Sequence, residues 1–471
     1  MISARSPIRN VAALTMGQAV AAASALVTNI CVGFVLGPEG LGLLGFGTAI
    51  IAYLVLFTGC GSELWSARLI ASKKHSAKIV ISRIFGMRLW AMAAVAVIFF
   101  MAVPLLVPDP ANRQVLLMQA AVVLVVPVAL DYFFQGLQRQ TTTAVRLGGQ
   151  TLLVMGLSVI FVQLRGDVML AAMAQAVGAI LPALIVLVYA ARRYDLALPD
   201  LSLRRAWKTF RRVSPFTVSA FVTTLFVTVD IVMLGILSGN RETGYYVAGF
   251  RLMLIAQIPA GLIFSVAFPR LAASAVGRRQ GNLALYGIIL GLIAVAGSAV
   301  ALATAPVLIE TIYGDSFGPV VPILYVQMIT VIFLHASMAP AGGLSSWGQQ
   351  KFHARSSALA AAFNVALNLA LIPMFGAVGA AVATLMSQII LFALFSYYLH
   401  RTTGLNVLRQ QALCGLCGIA ALAAVYGLSG MIGGLPLLVV GTVLSSGVVV
   451  LSARQFGLLQ WSEVRAMVHR P

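Results

Sequence analysis

Charge is what this chain has least of. Only 9% of its 471 residues are Asp, Glu, Lys or Arg, and the acids number 12, where a soluble domain carries about a quarter charged residues. Too little polar surface remains to keep such a chain in water, so soluble domains are excluded. Cysteine is scarce as well. Cys31, Cys60, Cys414 and Cys417 all fall inside apolar stretches, which argues against a disulfide framework or a zinc site. The Cys-x-x-Cys in "ALCGLCGIAAL" stands among small residues and reads as close helix packing rather than redox chemistry. No nucleotide-binding glycine loop, metal cluster or activated nucleophile is visible. A protein without cofactor or metal, and not an enzyme, is the expectation.

What fills the space is apolar. Hydrophobic residues make up 61% of the chain and the mean hydropathy is +0.99. Runs of about 20 apolar residues, the length a helix needs to cross the hydrocarbon core, recur from Val11 almost to the C-terminus. The expected class is an all-α integral membrane protein. Cutting at polar breaks gives about fourteen transmembrane helices, near 11–36, 40–61, 85–107, 114–135, 145–164, 168–190, 214–237, 244–271, 284–312, 320–343, 354–374, 377–399, 410–429 and 435–452. The opening "MISARSPIRN" precedes an apolar run that reaches about Leu36, too long for a signal-peptide core and without a cleavage signal. It is read as a retained first span.

Orientation follows from Lys and Arg, which are retained on the cytoplasmic side. With the N-terminus inside, 27 of the 31 fall on the cytoplasmic face, Arg113, Arg165 and Arg241 fall outside, and Arg251 lies within a helix. Both termini are then cytoplasmic. The net charge of +19 reads as topology signals and contacts with anionic membrane lipids, and nucleic acid is not an expected partner.

A repeat is also present. "GLLGFGTAII...ARLIAS" runs from Gly42 to Arg68 and "GYYVAGFRLM...PRLAAS" from Gly244 to Arg270, both offset by 202. The division this suggests is an N-lobe of six helices over 1–190, a basic cytoplasmic linker over 191–213, a C-lobe of six helices over 214–400, and helices 13 and 14 with a cytoplasmic tail over 401–471. Six helices per copy is an even number, so the copies share one orientation, the parallel-repeat plan of some transporters.

Several stretches carry a family resemblance: "LGPEGLGLLGFGTAI", "VDIVMLGILSGNRETGYYVAGFRL", "FPRLAAS", "IYGDSFGPVVPIL" and "NVALNLALIPMFGAVGAAVATLMSQ". In collinear order over nearly the whole chain, they resemble the polysaccharide transporter family of the multidrug/oligosaccharidyl-lipid/polysaccharide (MOP) flippase superfamily. The resemblance implies a MOP/MATE-like fold and a flippase that moves undecaprenyl-pyrophosphate-linked sugar repeat units across the bacterial cytoplasmic membrane for O-antigen, capsule or exopolysaccharide synthesis. A polysaccharide polymerase and a chain-length regulator are its expected partners, and a monomer its expected state.

Candidate site residues are the polar groups at membrane depth. Asp230 and Arg251 flank the turn between helices 7 and 8, each about 10 Å below the outer face. An unpaired charge at that depth costs about 2.5–3.5 kcal/mol on insertion scales, so they are expected either to staple the helices as an ion pair or to border a cavity. There Arg251 would offer its planar fork to a pyrophosphate and Asp230 would hold a coupling cation. Arg68, Arg88, Arg139, Arg146 and Arg270 stand near cytoplasmic helix ends, snorkelling to headgroups or lining a cationic mouth; Glu63, five residues before Arg68, is expected to temper it. Gln18, Asn29, Tyr53, Asn364 and Asn368 are candidates for sugar hydroxyls or for interhelical hydrogen bonds, and His335 for titration near neutrality or for packing. Pro127, Pro182, Pro259, Pro306 and Pro340 mark bending points or tolerated kinks.

Three rivals remain. A multidrug cation antiporter is expected to carry an acid in its first helix, and residues 11–36 hold none. A lipid II flippase is expected to carry arginines there, and Arg9 is the last base before Arg68. A membrane polymerase or ligase needs a large outer loop, and every outer connection here is short. Alternating access driven by an H+ or Na+ gradient, or by the membrane potential, is the expected mechanism.

Overall fold

The computed structural model describes residues 7–72, 76–107, 109–194, 196–429, 432 and 434–458. Every regular element among them is helical, because a chain in hydrocarbon must satisfy its backbone N–H and C=O groups internally. In order these are α1 (Pro7–Gly59), α2 (Glu63–Ala71), α3 (Ala77–Leu106), α4 (Pro110–Ala120), a 3₁₀ stretch Ala121–Val128, α5 (Asp131–Gly136), α6 (Gln140–Arg165), α7 (Val168–Arg193), α8 (Leu203–Leu237), α9 (Gly239–Ala256), α10 (Ile258–Ala272), a 3₁₀ turn Val276–Arg278, α11 (Arg279–Tyr313), a 3₁₀ turn Asp315–Phe317, α12 (Val320–Ser346), α13 (Gln350–Thr403), α14 (Leu408–Ser429) and α15 (Leu435–Gln455). The segments 1–6 and 459–471, with most of the expected tail, lie outside the described residues.

Eleven helical segments are long and apolar enough to cross a membrane, so fourteen separate spans are not reproduced as such. The difference has a local cause. α13 runs over 54 residues with one non-helical glycine, Gly376, and Gly379 packs against the carbonyl of Leu371. A straight helix would hold residues eight apart at about 12 Å, so the chain folds back at Gly376. Gly37 is the matching break in the 53-residue α1.

Close contacts divide the chain into Met1–Val247 and Ala248–Pro471. This boundary lies beyond the 191–213 linker because α8 packs on α1 and α3. In the first unit α1 packs on α6 and α6 on α7. One core joins Phe46, Ile51, Phe99, Val103, Val107 and Leu116, and a second joins Ile84, Met87, Leu130, Tyr132, Phe133 and Phe134. The linker is strapped along α3: Ser82 donates to the Leu198 carbonyl at 2.7 Å, the carbonyl of Asp200 fills the notch at Gly86, and Trp90 donates to the Leu201 carbonyl at 3.0 Å. Positions 82, 86 and 90 share one helix face. In the second unit α11 packs on α12 and α14, and α14 on α15. Cys414 and Cys417 are free thiols buried in that core, Cys414 against Gly291.

The repeat is visible in the backbone. Left-handed positions recur at Gly37 and Gly239, at Gln138 and Gly348, and at Gly166 and Gly376, offset by 202, 210 and 210. The second pair also shares its hydrogen bond, Arg139 N–H to the Phe134 carbonyl and Gln349 N–H to the Leu344 carbonyl, both 2.8 Å. Within the first unit, Gly42 packs on the carbonyl of Asn240 and Gly244 on that of Pro38. These are the same two positions taken from each copy.

Candidate functional site

Asp230 is 3% exposed on α8, and its carboxylate accepts a hydrogen bond from the Tyr246 hydroxyl at 2.7 Å. Tyr53 of α1 lies close enough to feel that charge and is hydrogen-bonded to Thr228. The Thr228 hydroxyl donates to the Thr224 carbonyl at 2.9 Å. The ring of Tyr53 stands 6.2 Å from that of Phe221. The buried acid is thus held in part by a phenol, whose hydrogen bond the oxygen can still accept when the carboxyl is protonated. Arg251 belongs to the second unit, where it neighbours Tyr313 and its Nε is buried without a hydrogen-bond partner among the described residues.

Arg88 is fully buried and all its donors are committed. Its Nε and Nη2 donate to the Ser62 hydroxyl at 3.1 and 2.8 Å, and Nη2 also donates to Glu63 at 2.6 Å. Nη1 donates to the carbonyls of Val126 and Ala129 at 3.2 and 3.1 Å, and the guanidinium lies 4.8 Å from the centre of the Tyr132 ring. The acceptors lie where the 3₁₀ stretch ends, Ala129 being its extended C-terminal cap. A guanidinium with five N–H groups so occupied has none left for a phosphate. Glu63 pairs with Arg88 and not with Arg68, because a five-residue step on a helix turns the two side chains about 140° apart.

The other basic residues divide in two. Arg146 grips Asp131 with a fork, 2.8 and 2.7 Å, and donates to Gln150 at 2.9 Å. Arg139 donates to the Tyr194 hydroxyl at 2.6 Å and lies 5.7 Å from that ring. Arg68 and Arg270 are exposed in the last turns of α2 and α10. Gln18 is exposed and Asn29 buried, both on α1. On α13, Asn368 donates to Asn364 at 3.1 Å and both are buried, the one-face pairing that the i, i+4 spacing predicts. His335 is fully buried, with Nδ1 2.9 Å from the Val331 carbonyl.

Sequence reasoning passed over one polar cluster. Gln119 of α4 packs on Gly47 and donates to the Leu44 carbonyl at 3.1 Å and to Gln175 at 2.7 Å, with the Thr48 hydroxyl at 3.5 Å. In the second copy Gln327 packs on Gly249, offset by 202 from Gly47, yet its buried amide makes no hydrogen bond among the described residues. Extending the repeat from Gly42 to Gly47 would have marked both notches.

Comparison with known proteins now adds to this geometry. Residues 8–275, more than half of the chain, match the family described as "Polysaccharide biosynthesis protein". The chain belongs to that family. A relative from Escherichia coli (strain K12), described as "Putative O-antigen transporter", is 24% identical over 298 residues, covering 62% of this chain and 72% of the relative. Among solved structures, this family member resembles the lipid II flippase MurJ in its inward closed conformation, with a TM-score of 0.80 at 11% identity over 94% of this chain and 98% of that one. An inward-facing MATE multidrug transporter of the MOP superfamily gives 0.67 at 16% identity, covering 81% and 94%. At such identities the likeness speaks for the fold alone, a MurJ/MATE-like helical fold.

Proposed function

We propose that this protein is a flippase that moves undecaprenyl-pyrophosphate-linked oligosaccharide repeat units from the cytoplasmic to the outer leaflet of the bacterial cytoplasmic membrane, by alternating access, for O-antigen, capsule or exopolysaccharide assembly. The observation that carries the reading is membership of the polysaccharide biosynthesis family on a flippase-type fold. Both termini are cytoplasmic in this proposal, which rests on the Lys and Arg asymmetry. A polymerase and a chain-length regulator receive the product. Asp230, neutralised by H+ or Na+ at its tyrosine-lined seat, supplies the coupling, with the membrane potential acting on its charge. Arg251 takes part in recognising the pyrophosphate.

A second reading, lipid II flipping, is favoured by the fold similarity to MurJ, and is opposed by the absence of any arginine between residues 11 and 36. The two are separated by one experiment. A strain lacking the protein is assayed for glycolipid trapped on the cytoplasmic leaflet, and complemented with the wild type, Asp230→Asn or Arg251→Gln at matched membrane levels. Accumulation of lipid-linked repeat units, relieved by the wild type alone, is the expected result. Accumulation of lipid II instead, or of neither glycolipid, overturns the proposal.

A further inference from the structure

The basic end of the first unit holds a small cleft that no part of the transport reading uses. Trp65 and Leu69 of α2, Ile79, Val80, Arg83 and Ile84 of α3, and Thr209 and Arg212 of α8 line a cleft of about 60 Å³. That admits a phosphate-sized group and excludes an oligosaccharide. Its two cations are uncommitted: neither Arg83 nor Arg212 makes a hydrogen bond or ion pair to a described residue, and both are exposed. Asp200, the acid whose field Arg83 feels, is already gripped by Arg205 at 2.6 and 2.8 Å. The Thr209 hydroxyl donates to the Arg205 carbonyl at 2.9 Å, so the charged donors of the cleft are the two guanidinia. Trp65 and four aliphatic side chains make up the rest of its walls, and Ile79 is 47% exposed at its rim.

The surroundings are those of a membrane interface. On α8, the run Arg204, Arg205, Lys208, Arg211 and Arg212 is interleaved with Trp207 and Phe210, whose rings stack at 5.5 Å, and Trp207 is 60% exposed. Aromatic rings with one wet edge settle at headgroup level, and basic pockets between helices at a cytoplasmic surface take anionic headgroups. We infer that the cleft between α2, α3 and α8 binds the phosphate of an anionic phospholipid, with Arg83 and Arg212 as its two donors and an acyl chain leaving past Ile79. The site stands whether or not the transported substrate has been assigned correctly.

The test is native mass spectrometry on the detergent-purified full chain, titrated with phosphatidylglycerol, with phosphatidylcholine as the neutral lipid. Phosphatidylglycerol is retained by the wild type in preference to phosphatidylcholine, and the Arg83→Gln/Arg212→Gln variant loses at least tenfold in apparent affinity. The charge-matched Arg278→Gln/Arg454→Gln variant does not. If the first variant fails to yield folded protein, Arg83→Lys/Arg212→Lys is measured in its place, with a threefold or greater weakening expected because the planar forks are gone. Equal retention by the cleft and control variants overturns the site. Displacement of the lipid by inorganic phosphate at equal concentration makes it a free-anion site, and loss of undecaprenyl pyrophosphate binding with phosphatidylglycerol unchanged makes it a substrate site; either overturns the phospholipid assignment.

Discussion

Replacing Arg88 with Met keeps the volume of the side chain and removes every donor, so it separates a structural arginine from a substrate arginine. The wild-type group is fully buried and holds Ser62, Glu63 and the carbonyls of Val126 and Ala129, with Tyr132 beneath it. Val126 keeps a bond from the Ala129 N–H, so the part-buried Ala129 carbonyl is the acceptor left short, at about 1–3 kcal/mol. The lost cation–π contact adds about 2 kcal/mol. Glu63 is 46% exposed, so water takes up most of its loss. The total is about 3–5 kcal/mol, the range for breaking a buried ion pair from one side. Thermal unfolding of the purified protein measures it, and Arg88→Lys recovers part of the loss by restoring the charge without the fork. An Arg88→Met protein as stable as the wild type but unable to bind lipid-linked sugar would refute the reasoning and make Arg88 a substrate ligand.

Other outcomes follow from the same geometry. Gln119→Met breaks satisfied bonds and destabilises by about 1–2 kcal/mol, whereas Gln327→Met relieves an unpartnered buried amide and is neutral or stabilising; equal effects in the two copies, read by thermal unfolding, would contradict the contrast. Gly86→Ala places a methyl where the Asp200 carbonyl sits, costs about 1–3 kcal/mol and releases the strap, seen as faster amide exchange over 196–202. The strap also depends on pH. The Arg205 fork, with the Ser202 N–H, holds the Asp200 carboxyl below the ordinary aspartate range. Its contribution is therefore present above the unfolded value near 4 and is lost as pH falls through the lower folded value, a loss that Asp200→Asn abolishes. Finally, Asp230→Asn keeps the Tyr246 contact and leaves the fold intact, while ion dependence of flipping in proteoliposomes disappears; unchanged ion dependence would remove Asp230 from coupling.

The all-helical class was legible in the sequence because hydrocarbon leaves an unbroken apolar run no alternative to helix, whereas the breaks at Gly37 and Gly376 inside two long helices were not. Arg88 was not legible. Two of its five hydrogen bonds go to backbone carbonyls, which no residue type announces, and the rest to Ser62 and Glu63 on another element. Glu63 was assigned to a neighbour in sequence when its partner came from the next long helix. The drift of the repeat offset from 202 at Gly47 and Gly249 to 210 at Gln138 and Gly348 also has a partial cause that sequence alone conceals. Eight residues of 3₁₀ helix cover about 16 Å, where α-helix needs ten or eleven. Between Gln119 and Gln138 the first copy therefore reaches the same depth with fewer residues than α12 needs, and the offset grows there from 208 to 210.

The crossing of α1 and α9 has a further consequence. Gly42 meets position 240 and Gly244 meets position 38, so residue and partner exchange roles when the copies are exchanged. That is the signature of an isologous contact, the kind made by two identical subunits about a twofold axis. A half-length chain of six helices carrying only the first copy would present both sides of the contact at once. It could pair with a second molecule of itself, and fusing two such genes would have preserved a dimer interface as an internal joint.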